Sequence, residues 1–160
     1  MTNVDICRME LSALKGQTIS YMGLAADMLD LGFGIDVFQT LYNGISKKTN
    51  EYGLHIQCDW EILPKNAKGL TANNLFSDIC EHKQRVLLIS SYYAKHFKGT
   101  FVTEILLSDN LSFTLFFSNG SSVRIHTCFF EKRENWRFIN TVKGYHFCIS
   151  SDNANGMEYC

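Results

Sequence analysis

Leu54-His55-Ile56-Gln57-Cys58-Asp59-Trp60-Glu61-Ile62 alternates without a break: Leu54, Ile56, Cys58, Trp60 and Ile62 are apolar or cysteine, and every residue between them is polar. A period of two places one set of side chains on each face of an extended chain, so the segment reads as a strand with one buried face. The spacing predicts a long strand over 52–63, stopped by Pro64, which cannot donate to a central ladder. Its other face carries His55, Gln57, Asp59 and Glu61 with almost no apolar relief. Such a face is either solvated or a recognition surface, and it shows no reaction chemistry.

Outward from this strand the chain alternates between short periodic runs and turn residues. A short helix is expected over 4–14, with Ile6, Met9, Leu11 and Leu14 as a loose stripe and Lys15-Gly16 as its end. Thr18 to Leu24 and Met28 to Phe33 read as strands, and residues 34–50 as a loop rich in glycine, asparagine, serine and lysine. Residues 65–76 form a polar connection with a short strand near Leu70. Asp78 with Glu81 three residues on resembles a helix start, and Val86, Ile89, Tyr93 and Phe97 then share a face, which predicts the longest helix over about 79–97, ended by Gly99. Phe101–Leu107, Leu111–Phe117, Ser121–Phe129, Trp136–Asn140 and Tyr145–Ile149 are strand-like. The hairpin at Ser118-Asn119-Gly120 permits a register test. A two-residue Asn-Gly loop pairs Leu115 with Arg124, whereas a three-residue turn with Gly120 left-handed pairs Leu115 with Val123 and Phe113 with Ile125. Only the second keeps the apolar rows together, so it is the expected one. The sum is an α+β fold: a mostly antiparallel sheet of about six to eight strands, one long helix packed on one face and a short N-terminal helix. It is expected to form one domain over 1–150, followed by a polar tail over 151–160.

A hydrophobic fraction of 46% and an aromatic content of 13% belong to a folded chain rather than a disordered one. The net charge of -1 gives no global basic field for phosphate backbones, so direct nucleic-acid binding is not expected. Charge is nevertheless uneven. Residues 16–46 hold Asp27, Asp30 and Asp36 and no Lys or Arg, while 82–103 hold Lys83, Arg85, Lys95 and Lys98 and no Asp or Glu. That asymmetry suits orientation of a charged partner. With no secretory leader and no membrane span in view, a cytosolic protein with six reduced thiols (Cys7, Cys58, Cys80, Cys128, Cys148, Cys160) is expected.

Chemistry-bearing patterns are sparse. His126-x-Cys128 and His146-x-Cys148 each place two metal-ligand types on one strand face, and neighbouring strands would complete a Cys2His2 tetrahedron for a small metal-binding or hydrolytic domain. No thiol has a local partner pattern for a nucleophile. Asp59 and Glu61, two apart on one face, are better explained as a solvated pair than as an acid and base. Trp136-Arg137-Phe138 has the residues to stack a base but no basic groove around it, so a packed tryptophan is expected. No cofactor is expected.

Three segments go further together: Gly23-Leu24-Ala25-Ala26-Asp27-Met28-Leu29-Asp30-Leu31-Gly32-Phe33-Gly34, then Leu54 to Ile62, then Trp136-Arg137-Phe138 with His146-Phe147. The chain resembles a group of small bacterial proteins with the pattern G-x-A-x-D-M-L-x-L-x-F-G, L-H-x-Q-C-x-W-R-I, W-R and H-F, akin to immunity proteins of toxin systems such as contact-dependent growth inhibition. Glu61 departs from the pattern where arginine is common, and Thr127–Glu134 lacks an acidic, serine-rich stretch. The resemblance implies a non-catalytic cytosolic protein that binds and neutralises a cognate toxin domain, possible nuclease toxins included. No catalytic residues carry over with it. Asp27, Asp30, Asp36, His55, Gln57, Asp59 and Glu61 are the expected contact residues.

Overall fold

A computed structural model describes residues 1–129, 133–150 and 157–159. In chain order the elements are α1 (Asn3–Leu11) with a 3₁₀ turn (Ser12–Leu14), β1 (Ile19–Ala25), β2 (Met28–Thr40), β3 (Ser46–Ile56), β4 (Asp59–Leu63), β5 (Leu70–Thr71), α2 (Ala72–Asp78), α3 (His82–Tyr92) with a π-helical turn (Tyr93–Phe97), β6 (Val102–Leu107), β7 (Phe113–Phe117), β8 (Ser122–His126), β9 (Glu134–Asn140), β10 (Tyr145–Ser150) and β11 (Met157–Tyr159). The class is α+β, as expected, but the single sheet is corrected to two. A six-stranded sheet runs β1-β2-β3-β9-β10-β11 and a five-stranded sheet runs β5-β4-β8-β7-β6, with antiparallel pairing throughout.

The expected strand over 52–63 is where the chain changes sheets. It bends at Gln57-Cys58, whose two amides both donate to the Asn135 carbonyl, at 2.8 and 3.0 Å. The alternation continues through the bend. Leu54 and Ile56 face the core from one sheet, Trp60 and Ile62 from the other, Cys58 lies between, and all five are 3% exposed or less. A strand that turns a corner between packed sheets keeps its inward face inward, so the corner leaves no mark on the period. Across the core, Trp136 of β9 meets Phe113 of β7 edge-on, with ring centroids 5.0 Å apart, and its indole N–H donates to the Leu111 carbonyl at 3.3 Å. The packed tryptophan expected from the sequence is therefore the bolt between the sheets.

A second seam closes the other side. Thr18 bridges Phe101, the Gly16 amide donates to the Val102 carbonyl at 2.7 Å, and Val102 donates back to Gln17 at 3.0 Å. Beyond it, Arg8, Leu11, Ser12 and Lys15 lie beside Glu104, Ile105 and Leu107, so the N-terminal helix and its 3₁₀ turn cover the edge of β6. Covering an edge with a helix is one way to prevent unwanted strand pairing.

The helix expected over 79–97 begins later, at His82, and runs on through the π-helical turn to Phe97, with a break separating it from α2. Asp78 ends α2 rather than capping a helix, Ile79 is extended, and α3 starts after Glu81. Arg85 fixes the break by donating to the Ile79 and Phe76 carbonyls, at 2.6 and 3.1 Å, with its guanidinium 4.7 Å from the centre of the Phe76 ring. The face itself is as expected: Ile89 and Phe97 are buried, and Val86 and Tyr93 pack against the core. The hairpin register also holds, with Leu115 opposite Val123, Phe113 opposite Ile125 and Gly120 at φ +88°.

Two further expectations are corrected. The loop over 34–50 is the outer half of a hairpin: β2 runs on to Thr40, turns at Asn43-Gly44 and returns as β3. Gly34, at φ +82°, sits at the irregularity between Phe33 and Asp36 where this arm leaves the sheet. In the tail, Met157–Tyr159 forms β11 alongside β10, while 151–156 and Cys160 lie outside the described residues. Cys148, which pairs in register with Glu158, is disulfide-bonded, so the expected reduced state fails there; Cys7, Cys58, Cys80 and Cys128 are free thiols.

The chain ends are tied together through Glu10, a carboxylate only 8% exposed that accepts hydrogen bonds from the hydroxyls of Tyr145, at 2.6 Å, and Tyr159. The bond to Glu10, with burial, pushes the Tyr159 hydroxyl up to about 12. Folding thus favours the protonated phenol. That stabilisation is complete below the ordinary value of 10.0 and is lost as pH rises through about 12. Urea midpoints are expected to fall between about pH 10 and about pH 12, and to fall less steeply in Tyr159→Phe.

Candidate functional site

The outer face of the six-stranded sheet carries the densest polar cluster. Strand register sets Asp30, His55 and Arg137 side by side across β2, β3 and β9, and sets Tyr21, Gly32, Gly53, Ile139 and His146 in the next row. Because Leu31, Leu54, Phe138 and Phe147 point inward between these rows, both rows point outward. His55 Nε2 lies 3.4 Å from Asp30 Oδ1. Arg137 donates through Nε and Nη2 to the two oxygens of Glu134, at 3.0 and 2.7 Å, and its Nη1 lies 3.0 Å from His146 Nδ1.

A guanidinium donates and does not accept. His146 Nδ1 is therefore the acceptor, and the ring proton sits on Nε2. Burial, then the neighbouring charge of Arg137 and of His55, lowers the His146 pKa and favours this neutral ring. Over the rows lies an open trough of about 590 Å³, walled on one side by Gln39, Lys47 and Lys48 of the arm. The charges that line it balance: Lys47 and Lys48 stand against Asp30 and Asp36. Tyr21 lies flat over Gly23, and Asn50 over Gly32, so a Cβ at either glycine would collide with them.

The expected contact residues divide among four places. Asp30 and His55 form the pair in the trough. Asp36 lies on the arm, 2.9 Å from Lys48 Nζ, and accepts from Asn50 Nδ2 at 3.3 Å. Asp27, in the β1–β2 turn, joins Gln57 and Asp59 in a second cleft of about 620 Å³ at the corner, with Asn73, Phe76 and Arg133. Glu61 belongs to the five-stranded sheet, where His126 Nε2 lies 2.8 Å from its Oε2. The single polar face read from the alternation is thus two faces on either side of a bend.

The His/Cys tetrahedron loses its premise. His126 is on β8 of one sheet and His146 on β10 of the other, and Cys148 is in a disulfide. Among the described residues, no three His, Cys, Asp or Glu side chains are grouped to hold a metal ion. Arg137, Glu134, Tyr21 and Gly53 were not expected at a site. Of these only Arg137 lies in the three segments singled out in the sequence, and nothing local announces that residues some 80 positions apart will pair.

A comparison of the chain with protein-family models finds no match, and neither does a comparison with curated proteins. Among the described residues, no helix is long and apolar enough to cross a membrane.

Proposed function

We propose that the protein is a non-catalytic immunity protein that acts in the cytosol by binding and neutralising a cognate toxin domain. The observation that carries this reading is the arm. Between Ile35 and Asn50, β2 and β3 pair only with each other, outside the reach of β1 and β9, and no residue of this arm is in the buried core. Yet the arm displays Ile35, Phe38, Tyr42 and Ile45 at 69%, 76%, 103% and 61% exposure. An isolated two-stranded ribbon is marginal in water, and grouped exposed apolar side chains mark interaction surfaces. Lys47 and Lys48 on the arm and Asp27 and Asp59 at the corner supply the charges that orient an encounter. The free thiols Cys7, Cys58, Cys80 and Cys128 fit a reducing compartment, and the Cys148 disulfide is the exception.

The test is growth protection of cells expressing the toxin domain encoded beside this gene. Phe38→Asp is expected to weaken the complex by about 2 kcal/mol or more and to abolish protection, with no change in thermal midpoint because the ring is outside the core. Full protection by Phe38→Asp combined with Tyr42→Ser would remove the arm from the interface.

A further inference from the structure

Gly53 has no structural reason to be glycine. It is not at positive φ, and a Cβ there would make only ordinary contacts, 3.6 Å from Ile139 Cβ and Cδ1 and 3.7 Å from the Leu31 carbonyl. A strand interior is weakened by glycine, and an unforced glycine there often marks close approach of a ligand or another backbone. Gly23 and Gly32 differ, since Tyr21 and Asn50 already occupy the space above them. Gly53 is half-buried, lies on the floor of the trough and has His55, Ile139 and His146 around it.

We propose that the trough over Gly53 binds a flat, uncharged, hydrogen-bonding ring of the nucleobase class, presented as a nucleoside. Bare backbone beside the Ile139 side chain forms a flat, weakly polar floor on which a ring lies face down. At its rim the His146 Nε2–H has no protein partner among the described residues and donates, while the Asp30 carboxylate accepts. A ring with an acceptor and a donor on its edge satisfies both; a simple anion or cation satisfies one and opposes the other. The balanced charge of the trough likewise selects against phosphate. The volume of about 590 Å³ is that of small-molecule sites. This site is distinct from the apolar arm residues, so its failure and that of the immunity reading are separable.

The test is titration of isotope-labelled protein with adenosine, guanosine, cytidine and uridine, following the Gly53 amide and the His55 and His146 rings by NMR. At least one nucleoside is expected to give saturable shifts centred on these groups. Gly53→Ala, which places a methyl on the floor, is expected to raise its dissociation constant about tenfold or more with the thermal midpoint retained. If that variant does not fold, His146→Phe, which keeps a ring and deletes the donor, is expected to show the same loss. Absence of saturable shifts with all four, saturable shifts centred elsewhere, or an affinity unchanged in the folded variants would overturn the proposal.

Discussion

Trp136→Ala is expected to lower the unfolding free energy by about 3–5 kcal/mol, the largest effect of any single substitution considered. Trp136 is fully buried and touches both sheets: it sits on β9, meets Phe113 of β7 edge-on, lies 6.2 Å from Phe147 and donates its indole N–H to the Leu111 carbonyl. Alanine leaves a cavity between two hydrogen-bonded sheets, which cannot collapse around it without breaking ladders, and strands the Leu111 carbonyl. Domains of this size are stable by only about 5–15 kcal/mol, so the variant sits near the threshold of folding. The urea midpoint reads the effect. A loss below about 1 kcal/mol would mean that the sheets are held elsewhere.

Asn135→Ala is expected to cost about 1–3 kcal/mol through the corner rather than the core. Asn135 is fully buried, its carbonyl takes the amides of Gln57 and Cys58, and its Oδ1 accepts the Cys128 amide at 2.7 Å. Alanine keeps the first two bonds and orphans the third. Its Nδ2 has no partner among the described residues, so losing the amide group also removes one standing penalty. The measurement is hydrogen exchange at Cys128 together with the urea midpoint. Faster exchange at Cys128 with a lowered midpoint is the expected result; an unchanged midpoint would show that the backbone bonds alone hold the bend.

These two residues also mark the limit of what the sequence discloses. The inward and outward positions along 54–62 are legible because burial imposes a period of two, and the five apolar residues are all in the core. The bend at Gln57-Cys58 is not legible, because it preserves that period and is locked by Asn135, 77 or more positions away. The turn at Gly120 is legible because the alternative register would bury Arg124. The arm is missed because Asn43-Gly44, Lys47 and Lys48 read as loop chemistry, while a ribbon exposed on both sides has no burial to impose alternation. Polarity singles out Asp30 and His55, which lie together in the trough, but their union with Arg137 and His146 depends on strand order, which no local pattern encodes. Glu61 is drawn to His126 for the same reason: sheet membership, not sequence spacing, decides which polar residues share a face.

The proposed mode of action, the capture of another protein, is open to direct measurement. Its most direct measurement is the affinity of the purified protein for the protein domain encoded by the neighbouring gene, by calorimetry, with the wild type and Phe38→Asp run in parallel. A one-to-one complex in the nanomolar range, weakened at least ~30-fold by the arm substitution, is the predicted result. No measurable heat with the wild type, or equal affinity for both proteins, would contradict it.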